Sequence, residues 1–219
     1  MKKIIITIGI TILLIAGLLF INSNKTEAPT VLPVESESQD SLVTEVNNGT
    51  YFVDTERSSI SWTGNMVGGK THTGKAPIQE GSITVQDDSI QDNSLIINLN
   101  NISSDEGLDD LVTHLKSPDF FNTAEFPNAT FVAKGVTVSS PGAFNITGDL
   151  TIKGITNEII VSSIVTESEN RYHLSGSTEI DRTLWDVRFG SGKFFADLGD
   201  KAIKDMLEIE FDIWTNEIN

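Results

Sequence analysis

Leu207-Glu208-Ile209-Glu210-Phe211-Asp212-Ile213 alternates apolar and acidic residues without a break. Successive side chains of a β-strand point to opposite faces, so this segment has one apolar face and one acidic face. The same period of two recurs at Ile60/Trp62, Ile83/Val85, Leu95/Ile97/Leu99 and Phe131/Ala133. It continues through Phe144/Ile146/Gly148/Leu150/Ile152, Ile159/Val161 and Tyr172/Leu174/Gly176/Thr178/Ile180. Turn residues separate many of these runs, among them Gly68-Gly69, Gly81, Asp87-Asp88, Pro141-Gly142 and Gly154. The pattern predicts about eight or nine antiparallel strands, in a sandwich or a closed barrel. A sandwich fills its interior with facing side chains, whereas a small barrel has room for one small ligand. The small inward residues Ala133, Gly148, Gly176 and Thr178 lean towards the hollow form.

One segment departs from the period. Leu108, Leu111, Val112 and Leu115 follow the i, i+3, i+4, i+7 spacing of a short amphipathic helix. Ser103 and Glu106 fit a capping box at its start, and Pro118 stops it. A second helical turn is predicted near Ala202–Met206. Phe120, Phe121 and Phe126 form an aromatic cluster suited to sealing one end of a barrel.

The N-terminus is a different kind of sequence. Lys2 and Lys3 precede an uncharged, mostly apolar run from Ile4 to Ile21. Eighteen helical residues at ~1.5 Å each reach roughly 27 Å, close to the hydrocarbon thickness of a bilayer. The two lysines hold the start of the chain in the cytoplasm. No A-x-A-like cleavage site follows, so residues 1–21 read as a signal-anchor, with a cleaved signal peptide as the alternative. Residues 22–48 are polar, contain Pro29 and Pro33, and read as a flexible linker. Residues 49–219 are left for one folded domain.

The 219-residue chain has 15 Lys+Arg against 31 Asp+Glu, a formal charge of -16. Sequence-independent nucleic-acid binding needs cations that displace phosphate counterions, so that class is excluded. With Cys 0 there is no disulfide, thiolate nucleophile or iron–sulfur ligand set, and His 3 leaves little for a zinc site. The chain contains no G-x-S-x-G, H-E-x-x-H or phosphate-loop motif. No catalytic residue, metal site or cofactor is assigned, and the protein is not read as an enzyme.

Several blocks carry a resemblance. Leu115-Lys116-Ser117-Pro118-Asp119-Phe120-Phe121 and Phe126-Pro127-Asn128-Ala129-Thr130-Phe131 resemble blocks of the YceI-like, polyisoprenoid-binding family. So do Gly148-Asp149-Leu150-Thr151-Ile152-Lys153-Gly154-Ile155-Thr156 and Ile180-Asp181-Arg182-Thr183. Trp62-Thr63-Gly64 and Thr71-His72-Thr73-Gly74 are similar to two shorter elements of that family. The blocks stand in the family's order across nearly all of residues 50–215. The resemblance implies an extended eight-stranded antiparallel lipocalin-like barrel with one short helix. It also implies an extracytoplasmic location, periplasmic or at the cell surface, and binding or carriage of an isoprenoid lipid or quinone. Trp185-Asp186 departs from the aromatic–Gly pair of many members, and the polar stretch 191–206 is longer than in the shortest.

Under this reading Trp62, Phe131, Phe144, Leu150, Ile152, Leu174 and Phe211 line an apolar cavity; taken singly, each is as readily core filler. His72 is placed to hydrogen-bond a ligand carbonyl or hydroxyl, or else is a satisfied structural histidine. Arg182 is the cation best suited to a phosphate head, with an ion pair to a neighbouring acid as the plainer role. The expected partners are an isoprenoid lipid and, through residues 4–21, the cytoplasmic membrane. The alternative is a ligand-free β-sandwich serving interaction or stress protection in the cell envelope. The sequence leaves the oligomeric state open.

Overall fold

The period-two runs all fall in strands, Leu99 alone lying in a 3-10 turn just beyond one. The computed structural model describes residues 41–43, 45–87 and 89–217. The signal-anchor reading and the linker as far as residue 40 lie outside these. Among the described residues no helix is long and apolar enough to cross a membrane.

The strands are β1 (Ser41–Leu42), β2 (Gly49–Phe52), β3 (Ser59–Met66), β4 (Thr71–Lys75), β5 (Ile78–Gln86) and β6 (Ser89–Asn98). After helix α1 (Asp109–Lys116) come β7 (Asn128–Ser140), β8 (Ala143–Ile152), β9 (Ile155–Ser168), β10 (Arg171–Asp181) and β11 (Ile203–Trp214). They form one curled antiparallel sheet in the order β2-β5-β6-β7-β8-β9-β10-β11-β3-β4, with β1 added to β9. A single curled sheet replaces the sandwich alternative, and its strand segments outnumber the eight expected. The surplus has a simple origin. β4 runs through Ala76-Pro77 directly into β5, and this bent segment pairs with β3 by its first half and with β6 by its second. β2 fills the wedge where β3 and β5 part, pairing with β5, while Val53 bridges to Thr215 beyond β11.

The folded region begins before residue 49. Ser41 and Leu42 pair with Glu167 and Thr166, and Val43 N–H donates to the Val165 carbonyl at 3.0 Å. Val43 is buried, so the last residues of the expected linker belong to the domain. Two other expectations fail locally. The helix cap is Leu108, without a side-chain hydrogen bond. Glu106 instead accepts from Thr73 N–H at 3.1 Å and from Ser104 Oγ, because β4 lies beside it. The turn expected at Ala202–Met206 is mostly β11, preceded by a 3-10 turn over Gly199–Lys201.

Apolar side chains of the concave face gather into two clusters. The larger joins Ile60, Trp62, Ile78, Ile97 and Ala129 to Leu115, Phe120, Phe121, Leu150, Ile152, Ile180, Trp185 and Val187. Thus α1 and the two following phenylalanines close that end, as their spacing suggested. The smaller cluster, of Val43, Tyr51, Phe144, Val165 and Tyr172, closes the other.

Candidate functional site: the interior between two plugs

Directly opposed residues of antiparallel strands share a face, so the register fixes which side chains point inward. Gly64, Trp62 and Ile60 of β3 oppose Leu207, Ile209 and Phe211 of β11. The latter two oppose Thr178 and Gly176 of β10, and Ile213 opposes Leu174. On the other wall, Phe131 opposes Leu95 and Leu150, while Gly148 and Ile146 oppose Ile159 and Val161. In this middle layer Leu95, Phe131, Ile146, Ile159, Val161, Leu174, Leu207, Ile209, Phe211 and Ile213 are only half-buried. They face inward and retain some accessible surface, and all but Ile146 and Val161 pack against one or the other cluster. The middle of the sheet is therefore apolar and less deeply buried than its two ends.

Two glycines make room for rings in this layer. A Cβ on Gly176 would stand 2.7 Å from the Phe211 ring, and one on Gly148 would overlap the Phe131 ring. Each ring thus lies over a strand position without a side chain, against the wall and away from the axis.

At one side of this layer two polar atoms lack partners. Trp62 Nε1 and His72 Nδ1 are buried with no hydrogen bond. Trp62 opposes Gly74, and His72 opposes Gly64 on the same face, so the two side chains are neighbours along the β3–β4 ladder. Glu106 Oε1 lies 3.7 Å from His72 Nδ1, beyond hydrogen-bond distance. A buried donor left unmade costs about 1–3 kcal/mol, so a ligand oxygen there would recover a standing penalty.

The nine residues singled out from the sequence separate into groups. Trp62, His72, Phe131, Leu174 and Phe211 stand in or beside the half-buried middle layer. Leu150 and Ile152 are buried in the plug beside Trp185, and Phe144 belongs to the opposite plug. Arg182 is engaged by the protein itself. It is 5% exposed, and its guanidinium donates to the carbonyls of Val187 at 2.6 Å and of Lys204 and Ile203 at 3.2 Å. Burial lowers its pKa, while Asp205, 3.7 Å away, and Asp181 oppose that shift. The Ile180-Asp181-Arg182-Thr183 block is accordingly a staple. Asp181 caps the 3-10 turn Arg182–Trp185 by accepting from Thr183 N–H and Oγ1, and Arg182 ties that turn to β11.

The neighbouring cations are also engaged. Lys193 Nζ lies 2.7 Å from Asp181 and 3.2 Å from Asp205, and these bonds raise its pKa. Burial works to raise the Asp181 pKa, but the bonds from Lys193 and Thr183 outweigh it and leave a net lowering. Arg188 pairs with Asp186 at 2.8 Å and covers the Phe194 ring. Sequence reading placed Leu207, Ile209 and Ile213 on the apolar face without assigning them to the lining. Their membership follows from cross-strand register, which period alone does not carry.

Comparison with known proteins adds to this geometry. A family model described as the YceI-like domain matches residues 51–214. A UPF0312 protein of Shewanella denitrificans is 30% identical over 159 residues, covering 69% of this chain and 83% of that one. A UPF0312 protein of Staphylococcus aureus is 60% identical over 45 residues, 20% of this chain and 23% of the relative. Among solved structures, a polyisoprenoid binding domain from Saccharophagus degradans implicated in plant cell wall breakdown superposes with a TM-score of 0.62. It has 15% identity, over 78% of this chain and all of that one. BcnA of Burkholderia cenocepacia gives a TM-score of 0.59 at 20% identity, over 75% of this chain and 99% of that one.

Proposed function

The chain belongs to the YceI-like domain family, and from that footing we propose that it binds an isoprenoid lipid with an uncharged head, a polyprenol or a quinone, inside its curled sheet. Counting β4 and β5 as one bent strand, and leaving aside the short β1 and β2, the curled sheet has eight members, and a barrel of that size suits a single elongated ligand. The observation that carries the reading is the half-buried apolar layer between two plugs, bordered by Trp62 Nε1 and His72 Nδ1 without partners.

A prenyl chain fits that layer chemically. Each buried CH₂ contributes about 0.8 kcal/mol gross, and ordering and association consume much of the total. The head end would accept a hydrogen bond from Trp62 Nε1–H and exchange one with His72. A phosphate head fits poorly, since Arg182, Arg188 and Lys193 already serve carbonyls and carboxylates. The protein binds without transforming its ligand. Its location is extracytoplasmic, held at the membrane by residues 4–21, a reading supported by the sequence of that run.

Organic extraction of the purified full chain followed by mass spectrometry tests the ligand class. A polyprenol or isoprenoid quinone near one per chain is the expected result. In competition, geranylgeraniol should displace it better than geranylgeranyl pyrophosphate, and Trp62→Phe should weaken geranylgeraniol about tenfold, the worth of one buried hydrogen bond. An extract without prenyl compounds, together with no uptake of either probe, refutes the reading.

A further inference from the structure

The sheet is not sealed evenly. β6 and β7 are long strands, yet they pair only from Leu95 opposite Phe131 to Asn98 opposite Asn128. Beyond that point β6 stays with β5 as far as Ser89, and β7 stays with β8 as far as Ser140. The two strands fork.

The fork is built. At the crotch Ala133 N–H donates to Asn93 Oδ1 at 2.6 Å, and Asn93 Nδ2 donates to the Ala133 carbonyl at 2.8 Å. The side-chain amide thus makes the pair of bonds that a backbone peptide would make in the next rung. A carboxamide in place of a peptide lets the strands stand further apart and gives the ladder a defined end.

Past the crotch, the register puts Val136 opposite Ile146 and Val138 opposite Phe144, so both valines are on the inner face. They are nonetheless 44% and 63% exposed. On the opposite lip Ile90 of β6 faces Val85 of β5, which packs with Ile83 against the smaller cluster. Open strand edges with inward apolar residues invite unwanted pairing and are ordinarily protected. Here they form a slot with apolar lips that runs towards the half-buried middle layer, while both ends of the sheet are plugged by Phe120, Phe121 and Trp185 or by Val43, Tyr51 and Tyr172.

We propose that the fork between β6 and β7 is the lateral opening through which a prenyl chain enters and leaves the interior, with Asn93 as the fixed point from which the lips part. This rests on the lipid-binding reading above. It adds a route: the tail passes sideways between strands, and neither plug has to unfold.

The chain has Cys 0, so a tether can be placed without interference. In the full 219-residue chain, Asp92→Cys and Gly135→Cys stand on the outer face of the two lips, and a Cβ at Gly135 meets no atom within 4 Å. The pair is bridged with a short bis-maleimide containing a cleavable disulfide, and bridging is verified by mass. Uptake of geranylgeraniol carrying a nitrobenzoxadiazole fluorophore is then followed in time. The tether should slow uptake at least tenfold and leave the amount bound at equilibrium unchanged, and reductive cleavage should restore the rate. In a second variant, Asn93→Ala, uptake should be several-fold faster. Equal rates with and without the tether overturn the lateral route while leaving lipid binding intact. An unchanged rate in Asn93→Ala overturns the role of that side chain. If the wild-type chain takes up no probe in any state, the underlying reading falls, and the route with it.

Discussion

The two ends of the interior are closed by different means. At the helical end, α1, Phe120, Phe121, Trp185 and Val187 pack on five or more strands, and Trp185 is 1% exposed with Nε1 donating to the Leu150 carbonyl at 2.9 Å. At the other end, a short crossing segment and two tyrosines do the closing. The Tyr51 and Tyr172 rings meet edge to face at 5.1 Å, Tyr51 Oη donates to the Asn47 carbonyl at 2.7 Å, and Asn47 N–H donates to Tyr172 Oη at 3.3 Å. One end is a core; the other is a clasp beside an open fork. Dense packing holds one end of the sheet curled, and the other end is lightly built.

The contrast is broken most severely by Trp185→Ala. A cavity opens in the core and the Leu150 carbonyl loses its donor, so stability should fall by about 3–5 kcal/mol in denaturant unfolding. Arg182→Met tests whether that cation is a staple. It strands three backbone carbonyls, and the expected loss is about 1–3 kcal/mol, with no change in the preference between geranylgeraniol and its pyrophosphate. A selective loss of the pyrophosphate would return Arg182 to a head-group role.

Tyr51→Phe removes one hydrogen bond from the clasp and should cost about 1 kcal/mol, less than either change at the core end. The same hydroxyl gives the clasp a pH dependence. Burial first, then the facing Tyr172, pushes the Tyr51 pKa up from 10.0 to about 12. Above the unfolded-state value the unfolded chain releases its proton while the folded one keeps it, so stability falls as pH rises between 10 and about 12. Thermal unfolding over that range should show the decline in the wild type, and a shallower one in Tyr51→Phe. Val138→Ser, on the fork, should change stability by less than ~0.5 kcal/mol, since that side chain is already in water.

Much of this architecture was legible in the chain. Alternation along Leu207–Ile213 and its counterparts located the strands, and the spacing of Leu108, Leu111, Val112 and Leu115 located the helix. The same alternation put Trp62, Phe131, Leu174 and Phe211 on one face of their strands, as the register has them. What escaped was set by partners distant in sequence. Arg182 looked like an available cation because nothing local reveals that three carbonyls surround it. Glu106 looked like a helix cap because its true donor, Thr73, lies on another strand. The fork was invisible because Val136 and Val138 continue a strand pattern, and only pairing shows that β6 has left them. Val43 reads as part of a tether because a two-residue strand in a polar stretch has no period to display.

Native mass spectrometry of the full chain mixed with geranylgeraniol tests the central claim, an apolar interior that holds one prenyl chain, most directly. A single saturable adduct of one lipid per protein is predicted. Absence of any adduct, or a ladder of adducts that grows with lipid concentration without saturating, would contradict it.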